Sequence, residues 1–431
     1  MKILHTADFH FSNNVDKLQE VVRVTDHLLS VAYQERPDCI VLAGDTLDEF
    51  DGRIRLDSDC ARAAISFIER AADIAPVVII RGTRSHDRES PYLFGHLRGR
   101  FPVHVSSDVE IVALLDTGDF APIDLVSGGN CKAIFTLVPS LDKAALLGRL
   151  PTDSIRGGNI QFRELVHDLF AGFGLLNEQF NVPTVLVSHG MVTGAQFSSG
   201  QMAIGEDLEF GVNDLQASRC DAIMLGHVHK HQSWGNVVYS GSPGRLNFGE
   251  QEDKGFIVWE FDGKRPSYRF VSTPARRFVF GETAWEGSGD QFSADLDAAV
   301  ADCSGADVRF RYTVSDEDRQ CVDRAAIEQR FLDAGANRVK IEAQVLPRQR
   351  QRAAGISNID SLPAKVRKWG ETVGEDIPAD VLAVAGAIEG LEVEELLTFG
   401  PGGQAHEQCP DTPDRESYVP DEQGDLFAGV A

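Results

Sequence analysis

"KILHTADFH", residues 2 to 10, is the stretch on which the reading of the fold turns. Lys2 to Asp8 is an apolar run of strand length that breaks off in Asp8 and His10. A helical pattern follows from Val15 to Ala32, then a second run, Asp38 to Asp45, a helix near Asp57 to Ile74, and a third run, Pro76 to Arg81. That alternation is βαβ logic. Further runs, Ala133 to Pro139, Thr184 to His189, Ala222 to His227, Val237 to Ser240 and Phe256 to Phe261, add strands. Short Gly-rich turns between the later ones predict antiparallel pairs. The pattern to about Pro274 is a two-sheet α/β sandwich.

Beyond Arg276 the pattern changes. A helix (Phe292 to Val300), a strand (Val308 to Val314), a helix (Arg324 to Ala334) and a strand (Val339 to Leu346) make a small α+β domain over 276–347. "LPRQRQR" reads as a linker and opens a segment, 348–400, with two short helices, Leu362 to Thr372 and Pro378 to Gly390. Their apolar residues form stripes, Leu362, Val366 and Trp369 on one, Val381, Leu382, Ala385 and Ile388 on the other. Residues 401–431 carry seven acidic residues against one arginine, with many Pro and Gly, and are expected to be disordered.

The formal net charge of -25 argues against broad attraction to nucleic acid, although a basic groove can coexist with an acidic tail. The seven cysteines, Cys39, Cys60, Cys131, Cys220, Cys303, Cys321 and Cys409, are scattered and never spaced as CxxC. Neither a disulfide framework nor a zinc ribbon is expected. With a strand starting at Met1 and no run near the ~18 apolar residues of a membrane span, the expectation is a cytoplasmic protein.

Five short motifs lie at or just beyond the ends of apolar runs: "ADFH" (Asp8, His10), "AGDTLD" (Asp45), "GTRSHD" (His86, Asp87), "SHG" (His189) and "GHVH" (His227, His229). Strand ends on one edge of an α/β sheet converge on one crevice, so these residues can meet. Mixed carboxylate and imidazole donors suit Mn, Fe or Zn better than Ca or Mg. Any single one of them is more often a turn or cap residue, and His5, His27, His104 and His167 read as packing or surface histidines. The whole set after successive strands is a site.

The motif series resembles that of the calcineurin-like metallophosphoesterases. "YSGSPGRLNFGE" (Tyr239 to Glu250) after "GHVHKH" is similar to the narrower group of SbcD-type DNA double-strand-break repair nucleases. The likeness covers residues 1–275 and runs more faintly into the rest. It implies an αββα sandwich, a capping domain over 276–347, and a helical pair that grips the coiled coil of an SbcC-like ATPase. It also implies two divalent metal ions, foremost Mn2+. Asp8, His10, Asp45 and His229 would hold one; Asp45, His189 and His227 would hold the other. His86 would stabilise the transition state or protonate the leaving oxygen, with Asp87 orienting its imidazole.

One position departs from the pattern. Where the family has an asparagine directly before the histidine, Ser85 stands here, after an insertion that makes Gly82-Thr83-Arg84-Ser85. Ser85 is then either a weak ligand to the second metal or a cap of the turn. The other seven of the eight positions are filled, which favours an enzyme over a non-catalytic DNA-tethering protein. The implied activity is that of a DNA exonuclease and endonuclease, with a small-nucleotide phosphodiesterase as the alternative.

Arg81, Arg84, Arg88, Lys230 and Arg245 fall in or beside the motif loops, where they can hold phosphates. The resemblance implies a homodimer. In the tail, "QGDLF" (Gln423, Leu426, Phe427) resembles the short peptides by which bacterial replication and repair proteins dock on the sliding clamp.

Overall fold

The computed structural model describes residues 1–50, 52–125, 130–140, 155–199, 201, 209–286, 289–346, 355–392 and 395–396, with backbone alone at 155–163. The first half runs β1 (Lys2–Thr6), α1 (Val15–Glu35), β2 (Cys39–Leu42), α2 (Asp59–Ile74), β3 (Val77–Ile80), β4 (Val103–Ser106), β5 (Glu110–Leu115), β6 (Phe120–Pro122), β7 (Cys131–Val138) and α3 (Ile155–Asn177). There follow β8 (Thr184–His189), β9 (Met191–Val192), β10 (Glu209–Phe210), α4 (Val212–Ala217), β11 (Ala222–Gly226), β12 (Gln232–Trp234), β13 (Val237–Tyr239), β14 (Gly255–Asp262) and β15 (Arg265–Ser272). One sheet has the order β15-β14-β1-β2-β3-β4, the other β12-β13-β11-β8-β7-β5-β6.

The two sheets stack because each central strand is apolar on both faces. In β1 and β2, Leu4, Ile40 and Leu42 meet Leu28 of α1 and Phe67 of α2. The alternate residues Ile3 and Val41 meet Phe135, Val187 and Met224 of the other sheet. That sheet turns Leu186, Ile223 and Leu225 toward Phe170 and Leu215 of α3 and α4. Four layers result, helix, sheet, sheet, helix. His5 lies between the sheets, where a ring N–H donates to the Leu225 carbonyl at 3.1 Å and burial lowers its pKa to about 3. It is the packing histidine that the sequence suggested.

α1 starts where Asn14 accepts from the Asp16 and Lys17 amides, and α2 where Ser58 accepts from Ala61. β1 to β4 are parallel, with β14 antiparallel to β1. The runs ending at Gly226 and Tyr239 pair in parallel, against the antiparallel expectation. The chain first makes β12, then reverses at Gly235 (φ 66°) into β13, which lies antiparallel to β12 and beside β11. β15 escaped the sequence reading because it has no continuous apolar run: exposed Arg265, Ser267 and Arg269 alternate with half-buried Pro266, Tyr268 and Phe270.

Residues 276–346 hold three parallel strands. β16 (Arg277–Ala284) precedes the elements read from the sequence, α5 (Asp290–Ala301), β17 (Ala306–Ser315), α6 (Arg324–Asp333) and β18 (Arg338–Leu346). Phe292, Phe310 and Phe331 fill their core. Contacts gather Met1–Leu346 into one compact unit and Pro347–Ala431 into another.

The second unit contains α7 (Leu362–Val373) and α8 (Ala379–Ile388), capped by Ser361 and tied where the Leu362 amide donates to Glu389 at 2.7 Å. Leu362, Val366, Leu382 and Ile388 are half-buried, while Trp369, Val381 and Val384 stay exposed. Gln423, Leu426 and Phe427 lie outside the described residues. Among the described residues, no helix is long and apolar enough to cross a membrane.

Candidate metal centre

The loops after β1, β2, β3, β8 and β11 meet at one edge of the sandwich. Asp8 (φ 55°), His10 (φ 53°), Asp45 (φ 47°) and His227 (φ 102°) all have left-handed backbones, which are uncommon for residues with a side chain. Such conformations persist where surrounding structure enforces them, and they gather at functional sites. Here each turns a side chain into the crevice immediately past its strand. Gly44 (φ 91°) lets Asp45's loop lie against His189, since a Cβ at Gly44 would meet the imidazole at 2.3 Å.

Two buried clusters stand side by side: Asp8, His10 and His229, and Asp45, His189 and His227, each with donor atoms within 4.8 Å of one another. His10 Nε2 and His229 Nε2 face each other at 3.1 Å. Asp45 Oδ2 lies 3.3 Å from His189 Nε2 and 3.8 Å from His10 Nε2. That oxygen sits between the clusters, as a bridging carboxylate must. The His189 Nδ1–H donates to the Ala43 carbonyl at 2.7 Å, which turns Nε2 inward. His229 Nδ1 faces Glu250 at 3.8 Å, and Glu250 pairs with the buried Lys254 at 2.8 Å.

The electrostatics fit cations. Burial pushes the Asp8 carboxyl up, and it pushes His10 down to about 3, leaving a neutral imidazole able to ligate. Burial also opposes ionisation of Asp45, but His189, His10 and His86 hold its carboxyl well below the usual range. Two buried carboxylates ringed by imidazoles, with His10 and His229 nitrogens turned on each other, form a donor set suited to two divalent ions.

Beside the clusters stands His86, its Nδ1 3.0 Å from Asp48 Oδ1, with Lys17 3.5 Å from the same carboxylate. Burial lowers the pKa of His86, but Asp48, Asp45 and Asp87 outweigh it, so the imidazole stays protonated to higher pH than usual. Its ring meets that of His10 edge-on at 4.7 Å, and Phe50, 61% exposed, stacks on it at 5.9 Å. Asp48 is the last residue of "AGDTLD", and a second carboxylate three residues after Asp45 was the available signal.

Asp87 does not orient His86. Its oxygens accept from the Leu47 and Gly82 amides at 2.8 and 2.7 Å, stapling two loops together. Burial, with Asp45 nearby, pushes its carboxyl up to about 7. The Ser85 Oγ is buried and makes no hydrogen bond, so it bonds neither Asp45 nor His189. Thr83 faces the second cluster, its Oγ1 3.3 Å from Asp45 Oδ2 and 3.2 Å from His189 Nε2. The inserted residues are taken up by a turn in which the His86 and Asp87 amides both donate to the Thr83 carbonyl.

The basic residues divide. Arg84 and Arg88 are exposed at the rim, Lys230 bonds Gln196 at 2.8 Å, and Arg81 is half-buried beside Glu89 at 3.6 Å. Arg245 is structural, since its guanidinium donates to the carbonyls of Glu250, Glu252 and Arg276 at 2.9–3.0 Å. These bonds knit the "GRLNFGE" loop to the start of β16 and leave its donors engaged.

The calcineurin-like phosphoesterase profile matches residues 1–231. Two curated relatives are each named as the SbcD component of the nuclease SbcCD. That of Staphylococcus saprophyticus is 23% identical over 290 residues, 63% of this chain and 68% of the relative. That of Bacillus subtilis is 24% identical over 266 residues, 58% and 63%. The chain thus matches about two thirds of each relative's length. Among solved structures, a dimetal phosphatase from Danio rerio aligns with TM-score 0.37 at 12% identity, over 63% of this chain and 99% of that one. With a profile match that spans every residue of both clusters, the chain belongs to the calcineurin-like phosphoesterase family.

Proposed function

We propose that this chain is a metal-dependent DNA nuclease, an exonuclease on DNA ends and an endonuclease on single strands or hairpins, working in repair with an SbcC-like ATPase. The observation that carries the reading is Asp45 Oδ2 set between two buried donor clusters, with a histidine–carboxylate pair at their edge. Asp8, His10, Asp45 and His229 would hold one cation, and Asp45, His189 and His227 the second. Two divalent ions, Mn2+ foremost, supply charge neutralisation for the phosphodiester and a water of lowered pKa. The chain's own part is then to place the phosphodiester and to handle the proton. His86, held by Asp48, donates to the leaving oxygen. Arg84, Arg88 and Lys230 steer phosphates at the rim, against a net charge of -25 over the whole chain.

The partner reading rests on the curated names, which describe one component of the SbcCD nuclease, and on Trp369, Val381 and Val384 exposed on a short helical pair. A partner coiled coil would cover them. A second copy of this chain, in a homodimer, is a further proposed partner. The QGDLF peptide remains a proposed clamp ligand.

The experiment is cleavage by the purified chain with Mn2+, with and without the ATPase, on end-labelled duplex DNA and on a chromogenic phosphodiester. Cleavage of labelled ends supports the nuclease. Activity on the small diester alone identifies a small-nucleotide phosphodiesterase, and cleavage of neither identifies a tethering protein.

A further inference from the structure

Each cluster gathers three donors of its own, and Asp45 Oδ2, 3.8 Å from His10 Nε2, also reaches the first, so that side has four, Asp8, His10, Asp45 and His229, against three, Asp45, His189 and His227, on the other. Thr83 faces the shortfall. Its amide donates to Asp45 Oδ1 at 2.6 Å, which leaves Oδ2 for the crevice. Its Oγ1 lies 3.3 Å from that Oδ2 and 3.2 Å from His189 Nε2, so hydroxyl, carboxylate and imidazole converge on one point. The Thr83 carbonyl in turn accepts the His86 and Asp87 amides at 2.9 Å, which pins the residue at the head of the turn. A β-branched side chain has few rotamers, so this backbone largely fixes where the hydroxyl points.

We propose that Thr83 Oγ1 is the fourth protein donor of the second cation site and that, through it, the two sites load in order. The inference rests on the dimetal reading above. A neutral hydroxyl is a poorer donor than a carboxylate, an imidazole or an amide oxygen. The site built on Asp8, His10, Asp45 and His229 therefore fills first, and the site built on Asp45, His189, His227 and Thr83 fills at higher metal concentration. Ser85 takes no part.

The test is Mn2+ titration of the full-length chain, followed by calorimetry and by electron paramagnetic resonance, neither of which needs turnover. A single bound Mn2+ gives a six-line spectrum, and a second, coupled to it through a shared ligand, broadens that signal away. The wild type is expected to show two resolved steps. T83A should leave the first step in place and weaken the second about tenfold or more. T83S, which keeps the hydroxyl, should retain both steps, and T83N should tighten the second until the two merge. S85A should match the wild type. Normal second-step affinity in T83A, or its loss in S85A, would overturn the assignment of Thr83. A wild-type chain that takes up only one Mn2+ would overturn the dimetal reading itself. T83S and T83N fill the turn with polar side chains of similar reach, so they decide the matter even if T83A fails to fold.

Discussion

Asp48→Asn tests the division of labour between two neighbouring carboxylates. In the wild type His86 Nδ1 donates to Asp48 Oδ1 at 3.0 Å, while Asp87 accepts only backbone amides. A hydrogen bond to a charged group contributes about 1.5–3 kcal/mol. At 1.36 kcal/mol per factor of ten, losing its share in the transition state lowers kcat by about 10- to 100-fold. His86→Ala sets the ceiling, since general acid catalysis contributes about 10²- to 10⁴-fold. Asp48 also raises the pKa of His86, so without it the protonated imidazole is depleted at lower pH. The deficit of D48N should widen as pH rises from 6 to 8, each unit above the pKa depleting the acid about tenfold. Asp87→Asn should do the opposite, lowering thermal stability while leaving kcat per folded molecule near normal. The assay is steady-state hydrolysis of a chromogenic phosphodiester at saturating Mn2+, with bound Mn2+ measured in parallel. D48N within twofold of wild type across the pH range, with Mn2+ content unchanged, would refute the reasoning.

Asp45→Asn should reduce binding of both cations, because one oxygen faces both clusters; retention of two tightly bound Mn2+ by elemental analysis would contradict the bridging role. On β18, Glu342 accepts from Arg309 at 2.8 Å and Arg311 at 3.2 Å and pairs with Lys340 at 2.9 Å, and Arg309 first among them holds its carboxyl down to about 2. A depressed carboxyl stabilises the fold above its unfolded pKa near 4.5 and loses that effect as pH falls toward 2. Partial exposure limits the contribution to about 1 kcal/mol. Hydrogen exchange of β17 amides should show E342Q with a flatter pH dependence than wild type over that window, and parallel curves would count against it. A chain ending at Leu346 should keep Mn2+-dependent cleavage of small diesters and lose co-purification with an SbcC-like ATPase; association that survives the truncation would exclude the helical pair as the docking element.

The fold was legible where chemistry is carried by a continuous apolar run. Lys2–Thr6, Cys39–Leu42, Val77–Ile80, Thr184–His189 and Ala222–Gly226 are buried along nearly their whole length, so apolar residues dominate them and their ends are sharp. Edge strands lack that signature. Gln232–Trp234 is three residues long, and Arg265–Ser272 alternates charge with half-buried aromatics. Because β12 was invisible, the relation of β11 to β13 was misread: a reversal that cannot be seen turns a parallel neighbour into an apparent hairpin.

The site shows the same limit at finer scale. The meeting of candidate donors follows from residue type at a strand end, because the strand fixes where the next two or three residues go; Asp8, Asp45, His189 and His227 come together that way. Direction inside a turn does not follow, since one inserted residue rotates every side chain after it. The loop from Gly82 to Asp87 is held at three points, by the Thr83 amide on Asp45, the Gly82 amide on Asp87 and the His86 amide on the Thr83 carbonyl. Those anchors carry Thr83 to the second cluster, leave the Ser85 hydroxyl without a partner, and bury Asp87 beneath the loop. His86 is then free of its sequence neighbour and takes its carboxylate from the "AGDTLD" loop instead. An insertion in front of the histidine can thus change which hydroxyl faces Asp45 and His189 without moving His86, because the His86 ring is held by Asp48 from a different loop.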